Sequence, residues 1–448
     1  MPDAESEARL KPMLAYSFGS LPTGFLLLAV TTWLMRLYCP TADEEGRVLL
    51  VSPAVFGIAS SVVMLLAAVV DPLVGYFSDR SRNPAGRRLP FMKWGLPCLS
   101  FLLIWFPPVQ GESDLNVVWL VVMFGLLQVS FTLVVNPYLA LMPEVWRSDG
   151  GRIRVSAWMA AFNAVAQIVG FVLFGVLIST VHDGGSFLGL FEWDGFKIAA
   201  LISFVLTVLG FLPTLFWIKE TPHCEDKEVS FGLIEAGWQT LRNPAFLPYI
   251  GAGAMLFAAQ YLIVMALPFL VVAQIVDDPA QGDMVASLML LGLVLFTALL
   301  YPVAVKLSER LKKRDLMMLS LGSFVIVLPL VTFTGQIPFV PAMLHLGIAC
   351  ALIAPGLAVG MVIPRAILAD VMDFDAQRTG FRREAMYNGM EGLLQKIAGG
   401  LAPLVQGLLF TYYGNTREEP WGIVLCGVAG GVLALLGMIA FWFYPLEK

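Results

Sequence analysis

Charged side chains are scarce in this chain of 448 residues, of which only 14% are Asp, Glu, Lys or Arg. Soluble domains carry roughly 25%. Hydrophobic residues make up 58% of the chain, and its mean hydropathy is +0.79. One soluble core cannot bury that much apolar surface. The composition therefore excludes an ordinary soluble protein and indicates a membrane protein.

Cysteine and histidine are also few. The five cysteines have no paired spacing, which indicates packing residues and no disulfide framework. The three histidines are scattered, so we expect no metal cluster, and Na⁺ only as an alternative coupling ion. Neither a nucleophile–base pair nor a glycine-rich phosphate-binding loop occurs. We therefore expect no enzymatic activity, no cofactor and no nucleic-acid partner.

Long apolar runs recur along the whole chain, and each can cross about 30 Å of hydrocarbon as a helix. Their continuous apolar character favours helices over strands, in which apolar and polar residues would alternate. Twelve spans are predicted, at 14–38, 49–77, 94–109, 116–144, 155–181, 196–218, 244–275, 284–305, 316–334, 339–374, 385–413 and 421–445. The predicted fold class is an all-α membrane protein with twelve transmembrane helices.

The distribution of positive charge predicts the orientation. With the N-terminus inside, most of the 28 Lys and Arg residues fall in cytoplasmic segments, and only Arg47 and Arg417 lie in external loops. Because Lys and Arg resist translocation, we expect both termini in the cytoplasm and the protein in a bacterial-type inner membrane. Arg36, near the outer end of the first span, is expected to anchor the membrane interface.

Two related halves are predicted, at 1–218 and 244–448, joined by a cytoplasmic linker at 219–243. Residues 231–242 have helical apolar spacing, so this part of the linker is expected to lie along the membrane surface or to serve only as a connection. Segment 71–80 aligns with 301–310 at a constant offset of 230 residues. Repeats of this kind place a substrate site at the bilayer midplane between the halves. The architecture therefore predicts a transporter.

Three segments carry a family resemblance: Asp71-Pro-Leu-Val-Gly-Tyr-Phe-Ser-Asp-Arg and its continuation to residue 90, 137–144, and 369–384. Through them the chain resembles the glycoside–pentoside–hexuronide:cation symporters, the melibiose-permease-like branch of the major facilitator superfamily. The resemblance implies the major facilitator fold of two six-helix halves. It also implies cation-coupled solute transport by alternating access. Eukaryotic sodium-dependent lysophospholipid symporters share the framework, so the resemblance does not imply a sugar.

Asp71 lies in an apolar run, where a carboxylate costs about 2.5–3.5 kcal/mol on insertion scales and usually faces a cavity or a partner. In the family this Asp resembles a cation ligand, and Asn136 could add a carbonyl oxygen. Two further family acids are replaced here by Ala67 and Val135. Na⁺ prefers several oxygen ligands, whereas a single carboxylate suffices for a proton. H⁺ coupling is therefore favoured over Na⁺ coupling, and a purely structural carboxylate is the remaining alternative.

Lys396 is the second charged residue that lies within a predicted span and is expected to have a functional role. The family also has a lysine here, which implies a role in coupling or in substrate binding. Glu391 lies five residues earlier and not on the same helix face, so a partner from another helix is equally expected. A lysine that snorkels to the interface is the alternative. Arg365 can bind a carboxylate or phosphate, or pair with Asp370.

The sugar-binding acid of the family's first span is replaced by Gly24, and its fifth-span arginine falls near Met159. The polar and aromatic candidates that remain for contact with a solute are Trp33, Gln128, Asn136, Asn163, Gln167, Gln260, Tyr261, Tyr387 and Asn388. Asn163 and Gln167 share a helix face. Isolated amides more often join helices than bind ligands, and Trp33 is equally a packing residue.

Charges at the predicted cytoplasmic ends resemble the inner gate of the superfamily: Asp79, Arg80, Arg87, Arg88, Glu144, Arg152, Asp370, Asp373 and Arg382. Such sets pair across the halves when the inner side closes, although some of these charges only set topology. The leading hypothesis is a monomeric, cation-coupled symporter of a small polar or amphipathic solute, glycoside-like by family. A lysolipid or organic-anion transporter, an uncoupled facilitator or exporter, and a membrane sensor are the alternatives.

Overall fold

The computed structural model describes residues 10–41, 44, 47–79, 86, 88–95, 99–146, 149–181, 186–187, 191–218, 240–276, 279–335, 339–379 and 384–446. The chain divides into two compact units, the first made of residues 1–37 and 69–228 and the second of residues 38–68 and 229–448. The predicted linker lies mostly outside the described residues, so the division at 219–243 stays a prediction.

The first predicted span is helical along its length but changes form. Helix α1 (Leu10–Ser17) is followed after a short break by α2 (Ser20–Leu28), a π-helical turn (Ala29–Trp33) and α3 (Leu34–Tyr38). A single π-helical turn within an α-helix is rare and is often found near a functional site.

Helix α4 (Pro53–Asp79) belongs to both units, because residues 53–68 group with the second unit and the remainder with the first. The first unit continues with α5 (Leu89–Gly95), α6 (Leu99–Leu103), α7 (Asp114–Val145), α8 (Asp149–Thr180) and α9 (Gly195–Trp217). Between α8 and α9, the two-residue strands β1 (Ser186–Phe187) and β2 (Phe191–Glu192) pair antiparallel.

In the described part of the second unit, six long helices follow its share of α4. They are α10 (Phe246–Gln274), α11 (Pro279–Ser308), α12 (Lys313–Thr332), α13 (Ala342–Thr379), α14 (Glu384–Tyr413) and α15 (Trp421–Trp442).

In the part of the chain that the structure describes, eleven helical segments are long and apolar enough to cross a membrane. They coincide with eleven of the twelve predicted spans. The third predicted span, 94–109, overlaps the last two residues of α5 and contains α6; residues 96–98 between them are not described. Helices satisfy their backbone hydrogen bonds internally, as hydrocarbon requires. The all-α membrane prediction is confirmed.

Two tyrosines join α1 to α7 inside the first unit. The Tyr16 hydroxyl donates to the Tyr138 carbonyl, and the Tyr138 hydroxyl donates to the Tyr16 carbonyl at 2.9 Å. The two rings stack with centroids 4.6 Å apart. Both side chains are buried in one apolar cluster with residues of α5, α8 and α9. The buried hydroxyls are therefore satisfied without water, which fixes the register of the two helices.

Small residues join α4 to α14 inside the second unit. The Ser61 hydroxyl donates to the Gly400 carbonyl at 2.6 Å. Further along, Gly57 lies so close to the Pro403 carbonyl that a Cβ there would collide with it. Close backbone approach of this kind is how membrane helices gain packing energy without large side chains.

Candidate functional site

Asp71 is hydrogen-bonded within the first unit. The Thr132 hydroxyl of α7 donates to Asp71 Oδ1 of α4 at 2.6 Å. Thr132 is buried, whereas Asp71 remains partly exposed. The carboxylate thus has a fixed neutral partner and an accessible side, which suits a group that binds and releases a cation.

Three polar residues of α7 share the helix face that reaches Asp71. Gln128, Thr132 and Asn136 are spaced by four residues and so lie one above another. Gln128 and Asn136 are partly exposed. Thr132 was missed by the sequence reasoning, although its spacing from the two predicted residues could have revealed it.

Glu391 is the centre of a polar cluster in the second unit. The Tyr249 hydroxyl of α10 donates to Glu391 Oε1 at 2.8 Å, and Arg365 Nη1 of α13 lies 3.4 Å from Glu391 Oε2. Glu391 itself is buried, whereas the Arg365 side chain is 70% exposed. Arg365 therefore keeps donors available for a further anionic group while its charge offsets that of Glu391.

The Lys396 ammonium approaches the backbone of α4. Its Nζ lies 3.5 Å from the Ala67 carbonyl oxygen, and the side chain is partly buried. Ala67 precedes Asp71 by one turn of α4. Glu391 contacts Tyr249 and Arg365, in keeping with the expectation that Lys396 and Glu391 lie on different faces of α14.

The position of the family's sugar-binding acid is crowded. A Cβ at Gly24 would lie 2.8 Å from the Ala166 Cβ and 3.1 Å from Asn163 Nδ2. Asn163 in turn accepts a hydrogen bond from Gln167 Nε2 at 2.8 Å, so the predicted shared face is confirmed. Met159, at the position of the family's arginine, packs against the apolar core of the unit.

Two aromatic candidates are buried. Trp33 stacks on Phe174 with ring centroids 6.2 Å apart, and Tyr387 accepts a hydrogen bond from Asn243 Nδ2 at 2.8 Å. Both have no exposed surface, so in this structure they pack against other helices. Arg36 is likewise fully buried, and its prediction as an interface anchor is wrong because α3 lies inside the packed unit.

The predicted gate residues are only partly described. Lys313 pairs with Asp370 at 2.5 Å within the second unit, so this acid is not the partner of Arg365. Asp373 is exposed and Arg88 is buried. For the other members, either the whole residue or its side chain is not described: Asp79, Arg80, Arg87, Glu144, Arg152 and Arg382. Asn388 also has an undescribed side chain.

A third charged cluster, missed by sequence reasoning, joins the segment before α4 to α11. Arg47 Nη1 lies 2.7 Å from Glu44 Oε2, and Arg47 Nη2 lies 3.0 Å from Asp283 Oδ2. Glu44 and Asp283 are buried, and Glu44 also accepts from the Thr41 amide at 2.9 Å. Because Arg47 and Asp283 are 236 residues apart in the chain, no local sequence pattern indicates their contact.

Residues 15–448 match the family model described as MFS/sugar transport protein. The chain belongs to this family. Full-length similarity agrees: the isoprimeverose transporter of Lactiplantibacillus pentosus is 21% identical over 97% of this chain and 88% of its own length. The chain is therefore a multi-pass secondary transporter of the major facilitator superfamily and not an enzyme. The predicted relationship to the glycoside–cation symporters is confirmed.

Other relatives match over shorter stretches. An uncharacterized symporter of Synechocystis sp. is 31% identical over 28% of this chain, which covers a quarter of that protein. The sodium-dependent lysophosphatidylcholine symporter 1 of Xenopus tropicalis is 30% identical over 25% of this chain and 22% of its own length. The crystal structure of the nucleoside transporter NupG aligns with a TM-score of 0.64 at 14% identity, covering 97% of this chain and 99% of NupG. This last similarity establishes the fold alone.

Proposed function

We propose that this protein is a cation-coupled symporter that moves a small polar or amphipathic solute by alternating access, with Asp71 as the coupling carboxylate. The observation that carries the proposal is the Asp71–Thr132 hydrogen bond, which joins two helices that are long and apolar enough to cross a membrane. A hydroxyl donates to a carboxylate and accepts from a carboxylic acid. Both protonation states of Asp71 therefore keep a hydrogen-bond partner.

A proton is the favoured coupling ion. Na⁺ prefers several hard oxygen ligands, and the two positions where the family has further acids are Ala67 and Val135 here. Thr132 and Asn136 could supply neutral oxygens, so Na⁺ remains the alternative ion. The symporter names of several relatives support coupling in either case.

The solute is proposed to contact the polar cluster of the second unit. Arg365 is exposed and carries donors in a fork that fits carboxylates and phosphates. This arginine lies beside Glu391, which in turn accepts a hydrogen bond from Tyr249. Lys396 supplies a second positive charge. These groups favour a solute with an anionic or strongly polar part.

A simple sugar is not the best candidate for the solute. The isoprimeverose transporter supports a glycoside, yet the site of the family's sugar-binding acid is filled by helix packing at Gly24. The local similarity to a lysophosphatidylcholine symporter, together with the exposed Arg365, favours a lysolipid or organic anion over a simple sugar.

The remaining sequence predictions complete the proposal. We propose that the two halves, 1–218 and 244–448, alternate around the solute, that both termini are cytoplasmic, and that the transporter is a monomer in a bacterial-type inner membrane. Closure of the cytoplasmic side would use the charged set that includes Asp370 and Asp373. The bias of Lys and Arg toward one side supports the orientation.

Replacing Asp71 tests the coupling. A solute chosen by thermal-shift screening would be followed into proteoliposomes with an imposed pH or Na⁺ gradient. The Asp71→Asn variant is expected to lose gradient-driven accumulation and to retain exchange without a gradient. Asp114→Asn, which changes an exposed acid at the start of α7, is the matched control. Full accumulation by Asp71→Asn would overturn the proposal, and gradient-independent transport by the wild type would identify a facilitator.

A further inference from the structure

A basic turn joins α11 to α12 in the second unit. Segment 306–315 contains five Lys or Arg residues and two acids, so its net charge is positive. The backbone of the turn is closed by its own hydrogen bonds, because the amides of Arg310 and Leu311 donate to the Leu307 carbonyl at 3.1 and 2.9 Å. The cations therefore lie on a compact turn between two helices that are long and apolar enough to cross a membrane.

Three of these cations are exposed: Lys306, Arg310 and Lys312. None of the ion pairs found among the described residues includes them, whereas Lys313 is paired with Asp370 at 2.5 Å. In the described structure, three positive charges on one turn are therefore open to an anionic group from outside the protein.

Arg314 links the basic turn to the end of α15. Its Nη2 donates to the Trp442 carbonyl at 3.2 Å, and its guanidinium carbon lies 5.8 Å from the centroid of the Trp442 ring. Helix α12 packs against α15. The start of α12 and the end of α15 therefore lie at the same face of the membrane, and tryptophan is enriched at the headgroup level of such a face.

An open apolar groove lies beside this contact, at the end of α15. It is lined by Met438, Ile439, Trp442 and Phe443. Trp442 and Phe443 are 63% and 68% exposed. Because α15 is long and apolar enough to cross a membrane, lipid covers this surface in a bilayer. Exposed positive charge and exposed apolar surface thus meet at one face of the second unit.

We propose that the basic turn and this groove bind an anionic phospholipid of the surrounding bilayer. The headgroup phosphate lies at Arg310 and Lys312, and an acyl chain lies along the groove. Basic segments next to a membrane helix attract anionic lipids about fivefold per cation. A free phosphate ion would satisfy the charge but leave the groove uncovered, so the charge and the groove together favour the lipid. The site does not depend on the proposed transport function.

Titration with two lipids of equal chain length tests the site. Dioleoyl phosphatidylglycerol or dioleoyl phosphatidylcholine would be added to the purified full chain in a mild detergent, and bound lipid would be counted by native mass spectrometry. With two cations at the phosphate, the wild type should bind phosphatidylglycerol about twenty-fivefold more tightly than phosphatidylcholine. Cations that only fix the orientation of the protein would not distinguish the two lipids, so equal affinities would overturn the proposal.

Removal of charge locates the site. The double variant Arg310→Gln/Lys312→Gln should lose the preference for phosphatidylglycerol, and each single change should weaken binding of that lipid about fivefold. The matched control is Lys93→Gln/Arg378→Gln, which removes the same charge from two exposed residues outside the basic turn. It should keep the preference. An equal loss in both double variants would show attraction by total charge alone and would refute the site. If the first double variant does not fold, its single variants provide the same test.

Two further measurements separate the headgroup from the chain. Phe443→Ala reduces the groove and should weaken both lipids by the same factor, so unchanged binding of both would overturn the placement of the chain. Inorganic phosphate in large excess should not displace phosphatidylglycerol, and complete displacement would identify a site for a free anion instead. Binding is measured without an ion gradient, so failure of the lipid site leaves the proposed coupling through Asp71 untouched.

Discussion

Replacing Arg47 with glutamine is expected to destabilise the protein, because this arginine holds two buried carboxylates. Its guanidinium lies 2.7 Å from Glu44 and 3.0 Å from Asp283, whose side chains are 5% and 0% exposed. Breaking a buried ion pair costs 3–5 kcal/mol, whereas exposed pairs are worth 0–1 kcal/mol. With Arg47 itself 25% exposed, we expect a loss of about 2–3 kcal/mol.

Thermal unfolding of the purified protein measures this loss. For a unit of this size the expected fall in apparent melting temperature is roughly 6 °C. Arg417→Gln is the matched control, because Arg417 is an exposed arginine that donates to the Val276 carbonyl at 3.1 Å. It should lower the melting temperature by no more than about 2 °C.

A double-mutant cycle tests the assignment of the loss to the buried acids. Asp283→Asn removes the more deeply buried charge, so it should recover part of the stability that Arg47→Gln loses. A coupling energy above about 1 kcal/mol between the two changes is expected for groups in contact. If the two effects simply add, or if Arg417→Gln destabilises equally, the charge-pair reasoning is refuted.

Two further predictions concern the first unit. Thr132→Val removes the hydroxyl that donates to Asp71 and should slow coupled uptake into proteoliposomes about tenfold. Thr132→Ser keeps a hydroxyl and should keep the wild-type rate of uptake. Equal uptake by the two variants would show that Thr132 has no role in coupling. Gly24→Ala places a Cβ against Ala166 and should cost about 1–3 kcal/mol in thermal unfolding, whereas Gly253→Ala, with no atom within 4 Å, should not. Equal melting temperatures would contradict the close packing at Gly24.

The helices could be predicted from the sequence because hydrocarbon imposes a single solution on long apolar runs. The third predicted span, 94–109, is the exception. Pro107 and Pro108 lie near the end of the predicted span 94–109, and α6 stops at Leu103. Proline disfavours the helical conformation in the residue before it. The apolar run therefore extends beyond the last described helical residue, Leu103.

Only the contacts of the site that lie within one helix could be predicted from the sequence. Asn163 and Gln167 interact as their spacing indicates. The same spacing argument could have identified Thr132, since it lies one helical turn from both Gln128 and Asn136. By contrast, the partners of Glu391 come from other helices, and Tyr249 is 142 residues distant. No spacing rule selects such a partner, because tertiary packing decides it.

The two units differ in how many of the charged residues of the family's substrate site they keep. This difference indicates the class of solute. In the first unit the charged groups of the sugar site are replaced by residues that pack, Gly24 against α8 and Met159 against the core. In the second unit the charge persists, as the exposed Arg365 beside the buried Glu391. A site that loses its charge-assisted bonds to hydroxyls loses sugar selectivity. A site with an exposed arginine fork gains affinity from an anionic group. These features favour a solute with an anionic part, in line with the proposed coupling through Asp71.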